Sequence, residues 1–359
     1  MDFGLTEEQR MLQDSVAGFL SDNCSLDVVR EAAESGTTHN RAIATGLAQL
    51  GVSGLLIEEE FGGVDLSLLD AALVCECLGA SAAPVSFLGT AVMAPIALRL
   101  AGSDAQKDSY LPRIAAGELI VGIAVAEHIG RRDTDGIEAS ANSLHGSAMF
   151  VIEGDDADLL IVADHTGGLH LVDAADTRRT RLKTIDRTRN IGRIEFDHTR
   201  AEPMPGSKHN TAPLLAMIDA GRVMLGADTL GAAQKMLDDA ITYAKERKQF
   251  NRVIGSFQAV KHMCAEMAAA LEPCRSLVWY AAHALDAIPE EGHLMACHTK
   301  AHLAETGKLV ARTATEVHGG MGMTDLLGLH YWFKRIGFNR QILGAPELVR
   351  AEAARAQGW

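Results

Sequence analysis

The chain is expected to fold as a multi-domain α+β protein, with a helical N-terminal domain, a middle antiparallel β domain and a C-terminal four-helix bundle. Three observations predict this. The 359 residues suffice for two or three domains at roughly 150 residues each. Apolar residues return every three or four positions at both ends of the chain, and the pattern between them changes to short β-branched or alternating runs.

Residues 1–118 carry the first helical pattern, in Leu12, Val16, Phe19 and Leu20 and again in Leu69, Ala72, Leu73 and Cys77. The segment FGGVDLS at 61–67 breaks it, and Asp65 or Ser67 is placed to cap the helix that follows. From 119 to 205 the runs LIVGIAVA, LHGSAMFVIEG, ADLLIVAD, GLHLVDA and GRIEFDHT are parted by Gly, Asp and Asn. Strands at this spacing, with no long helix between them, predict a compact antiparallel sandwich or barrel. Over 206–359 the helical period returns, strongest from Ile218 to Lys245, where Val223, Leu230, Ala233, Leu237, Ile241 and Ala244 form one stripe. Three further helical stretches are expected near 257–286, 290–318 and 325–355. Helices, then strands, then helices exclude a doubly wound sheet.

Composition narrows the function. With 33 Lys+Arg against 47 Asp+Glu the net charge is −14, the wrong sign for a protein that neutralises phosphates along a nucleic acid. Phe87–Leu98, the most apolar stretch, falls short of the ~20 residues of a membrane span. The opening MDFGLTEEQR lacks the basic-then-apolar order of a signal peptide, so a cytoplasmic location is expected. The six cysteines hold no C-x-x-C and the fourteen histidines no H-E-x-x-H. Buried reduced thiols and no metal site are the expectation.

Four segments, in order along the chain, resemble the acyl-CoA dehydrogenases. GVSGLLIEEEFGGVDLSLLDAALVCECLG (51–79) is similar to that family's N-terminal helical signature, and YLPRIAAGE (110–118) to its lead into the β domain. DAGRVMLGADTLGAAQKMLDDAITYAKERKQFNRVIGSFQAVKHMCAEM (219–267) resembles the long helix, the R-K-x-F turn and the F-Q-A helix, and ATEVHGGMGMT (314–324) the Gly-rich turn. The resemblance implies FAD-dependent α,β-desaturation of an acyl-CoA thioester. There a carboxylate takes a proton from Cα and flavin N5 takes a hydride from Cβ, while the thioester carbonyl is held by hydrogen bonds.

The family places its base in a stretch matched here by ILGAPELVR, and Leu343 stands where the Glu belongs. A minority of members carry the base on the long helix in a D-x-E-R context, matched by Asp219-Ala220-Gly221-Arg222, and Gly221 takes that position. No catalytic residue is therefore assigned; Glu347, four residues on, Glu127 or a water are the candidates for a displaced base. The cradle for the chain's own flavin also departs from the pattern. Its loop reads Ala126-Glu127-His128-Ile129-Gly130-Arg131-Arg132-Asp133, in which Arg131 and Arg132 could meet a pyrophosphate. In the covering strand Phe150 could face the ring, but Ile152 has no hydroxyl for N5.

What the resemblance does retain is the surface that reaches a neighbour's FAD: Arg247, Phe250, Gln258, Glu316 (in place of the usual Gln), Gly319, Gly320 and Gly322. These departures fit the base-lacking subunit of an α2β2 acyl-CoA dehydrogenase that shares FAD with a homologous, Glu-bearing partner and acts on a bulky, sterol-side-chain-like acyl-CoA. An electron-transfer flavoprotein is the implied oxidant. Two alternatives stay open: a self-sufficient homotetramer with a displaced base, and a non-catalytic scaffold or regulatory subunit without flavin.

Overall fold

The computed structural model describes residues 4–129 and 136–359. Thr6 starts α1 (Glu7–Asn23) with a reciprocal cap: its hydroxyl accepts from Gln9 N, and the Gln9 side chain accepts from Thr6 N. After α2 (Leu26–Ser35) and α3 (Arg41–Gln49), two short turns lead to α4 (Leu68–Ala80). Of the two cap candidates Ser67 does the work, in a capping box with Asp70, while Asp65 sits in the preceding turn with φ +54°. A single π turn, Leu88–Met93, then runs into α5 (Ala94–Ala101), and α6 (Asp104–Ala115) closes the helical segment.

The middle segment is one eight-stranded sheet of β1 (Val121–Ala124), β2 (Ile137–Ser140), β3 (Ser143–Ile152), β4 (Leu159–Ala163), β5 (Leu169–Asp173), β6 (Arg178–Arg181), β7 (Ile191–Arg200) and β8 (Glu202–Pro203). Its order is β6-β7-β3-β1-β4-β5-β8, with β2 on β3. Every pairing is antiparallel except β1 with β4, which is parallel. The wholly antiparallel expectation is corrected at that pair. β4 returns antiparallel to β3, and β1 has been inserted between them, so β1 meets β4 in parallel.

Alternation gives the sheet two buried faces. Leu160, Val162, Val172, Ile194 and Phe196 form the sheet's own core, while Ile123, Ile152, Ile161, Leu171 and Ile191 join the main core with the helices.

The C-terminal segment is built on α7 (Ala212–Glu246), whose 35 residues make it about 52 Å long. A tiny hairpin, β9 (Lys248–Gln249) and β10 (Arg252–Val253), connects it to α8 (Gln258–Ala287), followed by α9 (Pro289–His318). The single helix expected over 325–355 is two, α10 (Leu329–Gln341) and α11 (Pro346–Ala356). Leu343 and Gly344 take φ of +56° and +111°, and Pro346 forces its predecessor into an extended conformation. α7, α8, α9 and α10 pack as the bundle, with α11 laid on α9.

The N-terminal helices join this bundle through bare backbone. A Cβ at Gly231 of α7 would overlap Glu76 O of α4, and one at Gly79 of α4 would overlap Asp228 O of α7. Two glycines thus set the α4–α7 crossing. Among the described residues no helix is long and apolar enough to cross a membrane.

Candidate active site and cofactor surface

The two positions where the resemblance seeks a base, far apart in sequence, meet in space. A Cβ placed on Gly221 of α7 would stand 2.5 Å from Leu343 Cδ1 and 3.1 Å from Met93 Sδ at the end of the π turn. Leu343 is 3% exposed, so hydrocarbon fills the space. The turn that aims Leu343 inward is held by Arg222, whose Nε donates to Leu343 O at 3.0 Å. That guanidinium is itself buried and paired with Glu352 at 2.7 Å and Asp219 at 3.4 Å. Glu153 is a buried carboxylate beside the start of the π turn, and it is already engaged. It accepts from Gly89 N (3.1 Å), Thr90 N (2.9 Å) and Thr90 Oγ1 (2.8 Å) at the start of the π turn. Burial nonetheless pushes its pKa up.

Neither candidate carboxylate reaches this space. Glu347 lies exposed in the first turn of α11, 3.5 Å from Arg340. The backbone N–H there, then Arg340, hold its carboxyl below the usual range. Glu127 Oε1 accepts from Met149 N at 2.8 Å and so splices the loop to β3. Ile152, paired in register with Ile123 and Ile191, is 4% exposed. A bulge between Ala148 and Val151 turns Phe150 outward at φ +53°. Gly130, Arg131, Arg132 and Asp133 lie outside the described residues.

The comparisons with known proteins agree with this architecture. Residues 6–118 match the acyl-CoA dehydrogenase N-terminal domain and residues 214–358 its C-terminal domain. The chain is 30% identical over 353 residues to the acyl-CoA dehydrogenase IpdE2 of Mycolicibacterium smegmatis, covering 97% of this chain and 99% of that one. The chain belongs to the acyl-CoA dehydrogenase family. Among solved structures, the steroid ACAD Tcur3481-Tcur3483, studied as a variant, aligns at TM-score 0.88 and 25% identity over 98% of each chain. The ChsE4-ChsE5 complex of Mycobacterium tuberculosis aligns at 0.91 and 24%, over 100% of this chain and 99% of that one, a likeness of fold. The family is one of oxidoreductases acting on acyl-CoA, and its structures bind FAD.

The residues expected to face an acyl-CoA dehydrogenase neighbour's FAD are gathered at one end of the bundle. Arg247 ends α7 and Gln258 begins α8, both exposed; between them Phe250 and Asn251 form the two-residue turn of the β9–β10 hairpin. Their φ values, +53° and +62°, suit such a turn. Phe250 is 86% exposed, touching Phe257 edge-on at 6.1 Å between centroids.

The Gly-rich turn is brought to the same end by Tyr243 of α7 stacked on His318 of α9 at 4.7 Å. Glu316 is exposed in the last turn of α9, and no atom lies within 4 Å of where a Cβ would be on Gly319 or Gly320. Gly322 differs: it is buried, and a Cβ would meet Thr315 O at 2.8 Å, so its bareness serves packing.

This surface fits FAD, since an exposed guanidinium, an exposed aromatic ring and open backbone converge on it. The N5 side of the chain's own cradle does not, because Ile152 is buried hydrocarbon.

Several site-forming residues escaped the sequence reading. Asp228 of α7 is buried and receives Arg335 Nη2 and Arg189 Nη2, each at 2.7 Å, and Asn339 Nδ2 at 2.6 Å. These guanidiniums hold its pKa at about 2 against desolvation. Two clusters with metal-ligand chemistry also appear among the described residues: exposed His145, Asp197 and His198, and His293, Cys297 and Glu352. In the second, Arg222 Nη1 lies 2.7 Å from Glu352 and 3.6 Å from Cys297 Sγ, so a guanidinium already stands beside two of the three ligands. Four-residue spacings on α9, His293–Cys297 and His298–His302, were the signal passed over.

Proposed function

We propose that this chain is the base-lacking subunit of a heteromeric, FAD-dependent acyl-CoA dehydrogenase. Its own pocket holds no base, and it completes the FAD site of a homologous partner that carries the catalytic Glu. The observation that carries this reading is the meeting of Leu343, Gly221 and Met93 where the family's carboxylate stands, with Glu127 and Glu347 both engaged elsewhere. Bound FAD supplies the hydride acceptor. This chain's part is to hold the cofactor: Arg247 meets its pyrophosphate, Phe250 covers the adenosine half, and the Gly319-Gly320 backbone lets N–H groups approach. The exposed, left-handed Phe250 supports that role, since a bulky residue in this region is strained by about 1 kcal/mol or more.

A bulky acyl group is proposed as substrate, because a half-site without base or flavin leaves room beside the working one. The steroid ACAD among the structural relatives is consistent with a sterol-side-chain thioester. Electron-transfer flavoprotein is the proposed oxidant and the cytoplasm the proposed location.

The test is a visible absorption spectrum with native mass, on the chain alone and after co-expression with a Glu-bearing homologue. A colourless lone chain and a yellow α2β2 complex with two flavins are expected. In that complex Arg247→Ala lowers flavin content while leaving the lone chain's melting unchanged within about 0.5 kcal/mol, as for an exposed side chain. A lone chain that is yellow with one flavin per subunit and desaturates an acyl-CoA overturns the reading in favour of a self-sufficient enzyme. A colourless complex without desaturation would indicate the scaffold.

A further inference from the structure

The β segment brings together two histidines that a regular sheet would keep apart. β3 and β7 pair Leu144 with Thr199 and Gly146 with Phe196, so His145 alone on β3 faces both Asp197 and His198 on β7. Two residues against one make a β-bulge. Along an unbroken strand the faces alternate, and an inward Phe196 would put His198 on the inner face too. The bulge cancels that alternation: Leu144, Phe196 and Thr199 are buried, while His145, Asp197 and His198 are all exposed. His198 takes φ +51° to accomplish this, and Asp197 N donates to Thr199 Oγ1 at 3.1 Å.

The three side chains converge on one point. The His145 and His198 rings stack at 5.0 Å between centroids with 19° between their planes. One donor atom from each ring and one oxygen of Asp197 lie within 4.8 Å of one another. Among the described residues no ion pair engages the Asp197 carboxylate; the arginines of the neighbouring positions, Arg178 and Arg193, both pair with Glu195. Glu138 of β2, directly across from His145, adds a second exposed carboxylate to this face. The cluster thus differs from His293, Cys297 and Glu352, where Arg222 already pairs with the carboxylate.

We propose that His145, Asp197 and His198 bind a divalent transition ion of the Zn²⁺ class. Two imidazole nitrogens with one carboxylate oxygen suit zinc, whereas Mg²⁺ and Ca²⁺ call for oxygen ligands throughout. All three donors sit on exposed side chains, so closing to bonds of about 2.0–2.2 Å takes side-chain rotation and no movement of the strands. Three protein ligands leave the fourth tetrahedral position to water. The ion ties β3 to β7 across the place where their ladder is interrupted, and so stabilises that end of the sheet. The sequence expectation of no metal site followed from local spacing, which does not register ligands divided between two strands. This inference does not depend on the subunit reading above.

The test is a Zn²⁺ titration of the intact chain after treatment with a chelator, followed by native mass and by thermal melting. Zn²⁺ should bind and raise the melting temperature, and Mg²⁺ at the same concentration should do neither. His145→Ala and Asp197→Asn should each bind one Zn²⁺ fewer per chain over the range in which the unaltered chain saturates, an affinity loss of at least about tenfold. His198→Gly removes a ligand while giving the left-handed position the residue that fits it best. It should lose the same ion with no fall in the melting temperature of the metal-free chain, which separates lost ligation from lost folding.

An unchanged number of bound ions in all three variants overturns the proposal. So does a loss of zinc confined to His293→Gln, which would assign the ion to the His293, Cys297 and Glu352 cluster instead.

Discussion

Leu343 shows how one side chain can close a site. A carboxylate there would need polar partners, whereas a leucine with φ +56° drops its methyl groups into the gap that Gly221 leaves on α7. The two positions therefore depend on each other. Gly221→Ala brings a methyl to 2.5 Å from Leu343 Cδ1, the end of a movable side chain, and should cost about 1–3 kcal/mol as overpacking. Leu343→Ala should cost about 2–4 kcal/mol as a cavity. The double variant should be less destabilised than the sum by about 1 kcal/mol or more, read from urea midpoints at unchanged slope. Strict additivity would show that the residues do not share one space.

At the scale of elements, the α4–α7 crossing ties the first helical segment to the bundle, and its geometry rests on Gly79 and Gly231. Gly231→Ala would press a methyl onto the Glu76 carbonyl, a backbone atom that cannot step aside. The helices must separate, the apolar contacts along α4 are lost, and destabilisation of at least about 3 kcal/mol is expected. Gly337→Ala in α10 is the control: nothing lies within 4 Å of its added methyl, and a stabilisation of about 0.5–1 kcal/mol is expected from helix propensity. Thermal melting of the two variants decides it, and equal shifts would remove the crossing from the account. The α10–α11 break belongs to this scale too, since Gly344 and Pro346 place Leu343 while Arg222 locks it.

For the whole molecule, Asp228 is where three segments meet. Arg189 comes from the β segment, Arg335 and Asn339 from α10, and Asp228 from α7. Its carboxyl falls from the ordinary 3.8 to about 2 in the folded chain. Between these values the unfolded state binds more protons, so stability is present above about pH 4 and is lost as pH falls toward 2. The loss should be on the order of 2 kcal/mol, read from urea midpoints over that range. Asp228→Asn should be strongly destabilised at neutral pH, because two buried guanidiniums lose their countercharge, and its acid slope should be shallower. An unchanged slope would place the acid sensitivity elsewhere.

By itself the sequence determined the order of helices, strands and helices, because the 3.6- and 2-residue periods follow from which faces must be buried. It also determined the family, through motifs whose spacing matches a shared backbone, and it put Leu343 and Gly221, which cannot take a proton, at the two positions where the resemblance seeks a base. Only the tertiary structure decided that Leu343 and Gly221, more than a hundred residues apart, fill one space. It likewise decided that Glu347 faces solvent, that β1 runs parallel to β4, and that the helix expected over 325–355 breaks above the pocket. The Asp228 network, and the partners that the His293–Cys297 pair finds on other helices, were illegible for the same reason. Their charges lie on helical and strand positions that look like ordinary polar sites, and the meaning of a buried charge resides in partners that only long-range packing brings within hydrogen-bonding distance.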